Sequence, residues 1–187
     1  MSTKIFKSLG AFTIITILAL SLMAFTQSGT VSAAGLNRYG SASARGAYGQ
    51  GTGTALIPLS AAEKDALNRA ILEEYGAFNL YQSVIAQFGN VYPFSQIAIA
   101  EQQHINALTL QANKYGVIVP ANPGLTPVPY FNTLNAACQA GVEAEIADAA
   151  LYDALKPVVT HADILKVFNN LQSASLNNHL PAFQACQ

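Results

Sequence analysis

Apolar residues recur along most of the chain at spacings of three and four, the period of helices that bury one face. Leu67, Ile71, Phe78, Tyr81, Ile85 and Phe88 form the first stripe. Ser60 and Glu63 ahead of it have capping-box spacing, so a helix is expected to open there and to stop at Gly89. A second helix is expected from about Ser95 to Tyr115, with Gly116 as its stop. Thr133 is a suitable N-cap for a third, Leu134 to about Leu155, which Pro157 ends. The fourth runs from Ala162 to about Gln184 behind a Thr160 cap. Its stripe is Ile164, Phe168, Leu171, Ser175, His179 and Ala182, and Pro181 predicts a kink near Asn177.

The connections order these helices. The turn around Asn90-Val91-Tyr92-Pro93 and the few residues after Leu155 are short, so each joins antiparallel neighbours. Val117 to Tyr130 contains Pro120, Pro123, Pro127 and Pro129, which exclude a helix. A connection of about 15 residues reaches roughly 50 Å when extended and can cross a bundle ~30 Å long. Two hairpins joined by one long crossover predict an all-α, ferritin-like four-helix bundle over residues 58–187.

Polar residues interrupt the apolar stripes. Glu74 lies in the first, and Glu101 and His104 share a face with Phe94, Ile97 and Leu108 in the second. Glu145 and Asp148 fall within Leu134, Cys138, Gly141, Tyr152 and Leu155, and His179 lies in the fourth. A buried, unpaired carboxylate costs several kcal/mol, roughly, so something cationic must compensate it. Four of the ten acidic residues and two of the three histidines therefore point inward, the ligand complement of a di-iron or di-manganese carboxylate centre. Each has a plainer reading alone. Glu74 beside Glu73 could be a solvated border acid, and Glu101 with His104 an exposed polar stripe. Glu145 and Asp148 could lie on a wet helix, and His179 could be a hydrogen-bonded core histidine. Their coincidence favours metal. Tyr81, two turns after Glu74, reads as core packing or as a hydrogen-bond donor to a ligand. His161, at a helix start, reads as surface.

Composition narrows the function classes. With a net charge of −1 and no basic patch, the chain has no nucleic-acid footprint. Lys4 and Lys7 precede an apolar run from Ala11 to Phe25, and Val31-Ser32-Ala33-Ala34 offers a small-residue cleavage site, so residues 1–34 read as a secretory signal peptide. The run of about 15 residues is short of the ~20 of a spanning helix, the uncleaved anchor being the alternative. No cysteine or twin arginine there suggests a lipoprotein or twin-arginine route. Residues 35–57, rich in Gly, Ser, Ala and Tyr without apolar period, read as a flexible linker. Export makes Cys138 and Cys186 candidates for one disulfide, with two buried thiols as the alternative.

Four motifs carry a resemblance: Glu73-Glu74-x-x-Ala77-x-x-x-Tyr81, Phe94-Ser95-x-Ile97-Ala98-x-x-Glu101-Gln102-x-His104, Gly141-x-x-x-Glu145-x-x-Asp148 and Asn178-His179-Leu180-x-Ala182-Phe183. Across Leu59 to Phe183 the chain resembles the ferritin-like domain-of-unknown-function family 2202 and, more distantly, the rubrerythrin and ferritin superfamily. The resemblance implies Glu74, Glu101, His104, Glu145 and His179 as ligands of two Fe or Mn ions, with Asp148 as the sixth. One departure stands in the fourth helix, where Leu176 occupies the place of a glutamate three residues before the histidine. Asp148, one turn beyond Glu145, is the expected replacement.

The expectation is an exported di-metal protein acting on dioxygen or peroxide, with ferroxidase or peroxidase-type oxidoreductase activity. It is expected in the periplasm, cell envelope or medium, off the membrane once the leader is cleaved, and a homodimer is compatible with it. The alternatives are a secreted helical scaffold without turnover and passive metal sequestration.

Overall fold

Ser60 starts the first helix as its spacing predicts in a computed structural model that describes residues 56–186. The predicted leader 1–34 and the linker up to residue 55 lie outside the described residues. Helix α1 spans Ala61–Phe88 behind a complete capping box: the Ser60 hydroxyl takes the Glu63 amide, and the Glu63 carboxylate takes the Ser60 amide. Gly89 ends it at φ 83°, a backbone conformation glycine adopts without strain. Helix α2 spans Phe94–Lys114 and packs lengthwise against α1. Helix α3 spans Leu134–Leu155, and the Thr133 hydroxyl accepts from the Ala136 amide at its start.

The fourth helical segment is built in pieces. A short 3-10 turn, Lys156–Val158, follows α3 and leads into α4, Ala162–Ala174. A π turn, Ser175–His179, then joins α4 to α5, Leu180–Gln184. Asn177, where the kink is expected, is the middle residue of that turn. Pro181 has no N–H to offer the Asn177 carbonyl, so the regular ladder cannot continue there. All four segments are helical and no strand occurs among the described residues. No described helix is long and apolar enough to cross a membrane.

The connection between α2 and α3 crosses from one end of the helices to the other. It begins where Val117 packs with Leu59, Leu67 and Ala112, and it is pinned to α1 twice on the way. Asn79 and Asn122 exchange amide hydrogen bonds at 2.6 and 3.1 Å. Gln87 then donates to the Pro129 carbonyl and accepts from the Phe131 amide. Backbone groups that proline-rich chain cannot pair with itself are satisfied by α1 side chains.

Two apolar cores result. One gathers Leu67, Ile71, Leu108, Tyr152, Leu155, Ile164 and Phe168; the other gathers Tyr81, Val84, Phe94, Cys138, Val142 and Phe183. In the second, Phe183 lies so close to Gly141 that a Cβ there would meet its ring at 2.5 Å. Cys138 and Cys186 form a disulfide that closes 48 residues and ties the chain's end to α3. By loop-closure entropy such a link stabilises by about 4 kcal/mol.

The fourth segment does not start as its sequence predicts. His161 is the N-cap residue, and the Thr160 hydroxyl donates to Glu63 across the bundle at 2.8 Å. Glu63 also accepts from the amides of Thr160 and His161 and contacts His161 Nδ1 at 2.7 Å. One buried carboxylate thus closes the start of α1 and the start of α4 together. His161, expected at the surface, is half-buried and also donates from Nε2 to the Ile57 carbonyl.

This clasp has a pH signature. The Glu63 carboxylate raises the His161 pKa above its ordinary value, and Glu63 itself stays ionised because, against its burial, His161, Thr160 and Ser60 lower its pKa. A raised histidine contributes its stability fully below about pH 6.5 and loses it as pH climbs through the raised value. The Tm gap between wild type and His161→Ala is therefore expected to be largest below about pH 6.5 and to shrink as pH rises through the raised value. Calorimetry at fixed ionic strength reads this directly, and a constant gap contradicts it.

Candidate metal centre

Between the two apolar cores lies a polar layer supplied by all four helical segments. Its members are Glu74 from α1, Glu101 and His104 from α2, Glu145 and Asp148 from α3, and His179 from the end of the π turn. Each is at most 8 % exposed. The helix period brings them in, because every one replaces an apolar residue on a stripe that must face the core.

Five of the six converge in two overlapping groups. His104 Nδ1 lies 3.1 Å from Glu74 Oε2 and 2.8 Å from Glu101 Oε2. His179 Nδ1 lies 3.0 Å from Glu101 Oε1 and 3.3 Å from Glu145 Oε2. The two oxygens of Glu101 therefore address different histidines. The imidazoles stack face to face, 5.4 Å apart at their centroids and 19° from parallel. In each group the ligand atoms lie within 4.8 Å of one another, close enough to hold a metal ion: Glu74, Glu101 and His104 in one, Glu101, Glu145 and His179 in the other.

Asp148 stands beside these groups and in neither. Its Oδ2 accepts from the Ser175 hydroxyl at 2.5 Å, while its buried Oδ1 has no hydrogen-bond partner. Ser175 faces inward one turn before His179, and Leu176, at the place where the resemblance expects a glutamate, is 42 % exposed. Ser175 shares the inner face with His179 by the ordinary four-residue helical spacing, and the wider winding of the π turn swings Leu176, three residues before the histidine, further from that face.

Two tyrosines fix the outer carboxylates. Tyr81 on α1 donates to Glu145 Oε1 of α3, and Tyr152 on α3 donates to Glu74 Oε1 of α1, both at 2.5 Å. The arrangement is reciprocal: in each helix a tyrosine seven residues after the glutamate serves the other helix's glutamate. Each ring lies in one apolar core and only its hydroxyl reaches the layer. Tyr152 was legible only as a stripe residue; the signal that finds it is the repeat of the Glu74 to Tyr81 spacing in Glu145 to Tyr152.

Electrostatics in this layer are unbalanced. Among the described residues, the cationic groups contacting these carboxylates are the two imidazoles, which reach Glu74, Glu101 and Glu145 and leave Asp148 without one. Burial disfavours the charged ring in each, but the carboxylates outweigh it: Glu101 and Glu74 raise His104 to about 10, and Glu101 and Glu145 raise His179 to about 9. Burial likewise opposes ionisation of Glu101, yet contact with both histidines holds it at about 2. Glu74 and Glu145 are raised, chiefly by burial. Burial, reinforced by Glu101 and Glu145, takes Asp148 to about 7, the Ser175 hydroxyl offsetting it only in part.

The residues present could hold metal. Two polar atoms in the layer, Asp148 Oδ1 and His179 Nδ1, are buried without an aligned hydrogen-bond partner. Carboxylate oxygens with imidazole nitrogens suit iron and manganese, and cations there would neutralise the carboxylates that the protons only partly neutralise.

These features define an all-helical bundle with a buried carboxylate and histidine layer able to hold metal. No family model matches the chain, and no curated protein does. Among solved structures, a hypothetical protein of Methanococcus jannaschii is similar, with a TM-score of 0.60 and 24% identity over 68% of this chain and 81% of that one. That likeness is one of fold.

The tyrosines give a prediction of their own. Removing a hydrogen bond that orients a ligand lowers metal affinity by about 10- to 100-fold, so Tyr81→Phe and Tyr152→Phe should each weaken binding by that range. Competition against a chelator of known affinity measures it, and wild-type affinity in both variants contradicts the assignment.

Proposed function

We propose that the protein is an exported, ferritin-like di-metal protein that binds two iron or manganese ions and reacts with peroxide or dioxygen. The observation that carries this reading is the position of Glu101, whose two carboxylate oxygens each face a separate histidine with its own outer glutamate. One carboxylate shared between two such groups is suited to two cations, whereas a single structural ion needs one group. Membership of the ferritin-like domain-of-unknown-function family 2202 belongs to this proposal and rests on the four sequence motifs. Two antiparallel hairpins joined by a pinned crossover support it.

Each side chain has a defined task. Glu101, His104, His179, Glu74 and Glu145 would hold the metal, Glu74 and Glu145 each turning Oε2 toward a histidine while a tyrosine holds Oε1. Asp148 brings a further buried carboxylate oxygen, kept in place by Ser175. When bound, iron or manganese supplies the electron transfer to and from an oxygen species that no side chain in the layer can perform. The two apolar cores on either side keep bulk water from the layer. Export is proposed from the leader and is supported by the disulfide, which persists in oxidising compartments.

Metal analysis tests the reading. Mature protein loaded with Fe(II) or Mn(II) should hold about two ions per chain, and Glu101→Ala should hold fewer than about one. Free metal a hundredfold above Kd should stabilise the wild type by about 2.7 kcal/mol, read as a rise in Tm. Absence of both binding and shift rejects the metal centre and leaves a helical scaffold.

Loading should also release protons. His104 and His179 carry protons at neutral pH in the metal-free layer. Ligation displaces them, so about two or more protons per chain should appear on loading at about pH 7. Removing the competing proton favours the metal, so affinity should rise with pH toward the histidine pKa values. Titration in weak buffer with a pH indicator measures both, and proton-neutral binding contradicts Nδ1 ligation.

A further inference from the structure

The chain that leads into α1 is tied down at one point. Leu56 and Ile57 are 55 % and 74 % exposed and Pro58 is exposed too, whereas Leu59 is buried in the core with Leu67, Val117 and Val159. The Ile57 carbonyl is held by Nε2 of His161, 3.0 Å away and 104 residues further along the chain. Among the described residues, no other hydrogen bond holds residues 56–58.

His161 therefore has an acceptor on each ring nitrogen. Nδ1 meets Glu63 Oε1 at 2.7 Å, and Nε2 meets the Ile57 carbonyl. An ionised carboxylate and a carbonyl can only accept, so both contacts are hydrogen bonds only when both nitrogens carry protons, which is the imidazolium. A neutral ring has one N–H to give. Glu63 keeps it, because it is the nearer acceptor and a hydrogen bond to an ionised group is roughly twice as strong as one between neutral groups. Nε2 is then a lone pair facing the lone pairs of the Ile57 oxygen, and attraction turns to repulsion. At so exposed a position, water replaces the lost donor when the carbonyl moves off.

The other charged and titratable groups around the ring leave this order intact. Asp163 of α4 favours the charged ring, as Glu63 of α1 does more strongly. From the end of α2 the Tyr115 ring meets His161 edge-on, centroids 5.1 Å apart, while its hydroxyl donates to Asp163 and Lys114 pairs with Asp163 at 2.6 Å. Lysine and tyrosine ordinarily lose their protons only near about pH 10. Here Asp163 raises Lys114 further, and burial with Asp163 raises Tyr115. His161, starting from about 6.5, changes charge first.

We propose that His161 is a pH-operated catch on the chain entering the bundle: the imidazolium holds residues 56–58 against the start of α4, and the neutral ring keeps Glu63 and lets them go. Leu59 stays buried in both states, so the point at which the chain leaves the bundle moves between Leu56 and Leu59 while the helices keep their places. The catch is distinct from the metal layer and works whether or not that layer is filled.

Two substitutions separate the two ring nitrogens. In His161→Asn the side-chain amide nitrogen stands about where Nδ1 does, so the contact with Glu63 is kept and the one with Ile57 is lost; asparagine is also a favourable N-cap, which protects the fold. In His161→Gln the amide nitrogen reaches about as far as Nε2 and has no proton to lose in this range. Nuclear magnetic resonance of isotope-labelled protein reads both parts of the catch. The ring nitrogen shifts give its charge and tautomer, and backbone order parameters of Leu56 and Ile57 give the mobility of the strap. From about pH 6 upward the wild-type ring should pass from imidazolium to the Nδ1–H tautomer. With the same midpoint, the Leu56 and Ile57 order parameters should fall from about 0.85 to below about 0.6, those of Leu59 and Ser60 staying high. His161→Asn should give the low values at every pH and His161→Gln the high ones. The proposal is overturned by a strap that stays ordered after the ring has lost its proton, by a neutral ring protonated on Nε2, by a ring that keeps both protons until the fold melts, or by an ordered strap in His161→Asn.

Discussion

Everything in this bundle is arranged around the burial of four carboxylates with too few cations. Taking an acid out of water costs several kcal/mol, roughly, unless a positive charge and hydrogen bonds replace the lost solvent. The two histidines and two tyrosines supply part of that replacement, and the layer remains short of positive charge even so. The rest of the fold is then intelligible as a frame: two apolar cores hold the helices, and the layer between them gives up stability to keep groups that could hold metal. Proteins commonly break a local packing rule where function requires it.

The frame has an internal repeat that the site does not fully share. Glu74 with Tyr81 on α1 and Glu145 with Tyr152 on α3 are equivalent in spacing and in their reciprocal hydrogen bonds. Glu101 with His104 has only His179 as its counterpart, because Ser175 occupies the inner position a turn before it and the π turn leaves Leu176 outward. Asp148, on the facing helix, lies beside the two groups and is tethered by Ser175. A symmetric scaffold thus carries an asymmetric layer.

Much of this was legible in the sequence, for physical reasons. Helices α1 and α3 begin and end where capping residues and glycine or proline require it, because these signals are local. The inward residues could be found because an acid on an apolar stripe is costly wherever it occurs. What local pattern could not supply was register and distance. Straight periodicity does not anticipate the wider π turn, so Ser175 was visible only as a stripe residue and its bond to Asp148 was not. His161 looked like a surface residue because its partner, Glu63, is 98 residues away. Asn79 and Gln87 gave no sign that they hold the crossover, since their partners lie in proline-rich chain without a period.

The most direct test of the central claim is the location of bound metal by anomalous X-ray scattering from crystals grown with Mn(II) or Fe(II). The account predicts two peaks in the polar layer, one within reach of Glu74, Glu101 and His104 and the other within reach of Glu101, Glu145 and His179. Ordered water in place of both peaks, or metal bound only at the surface, would contradict it.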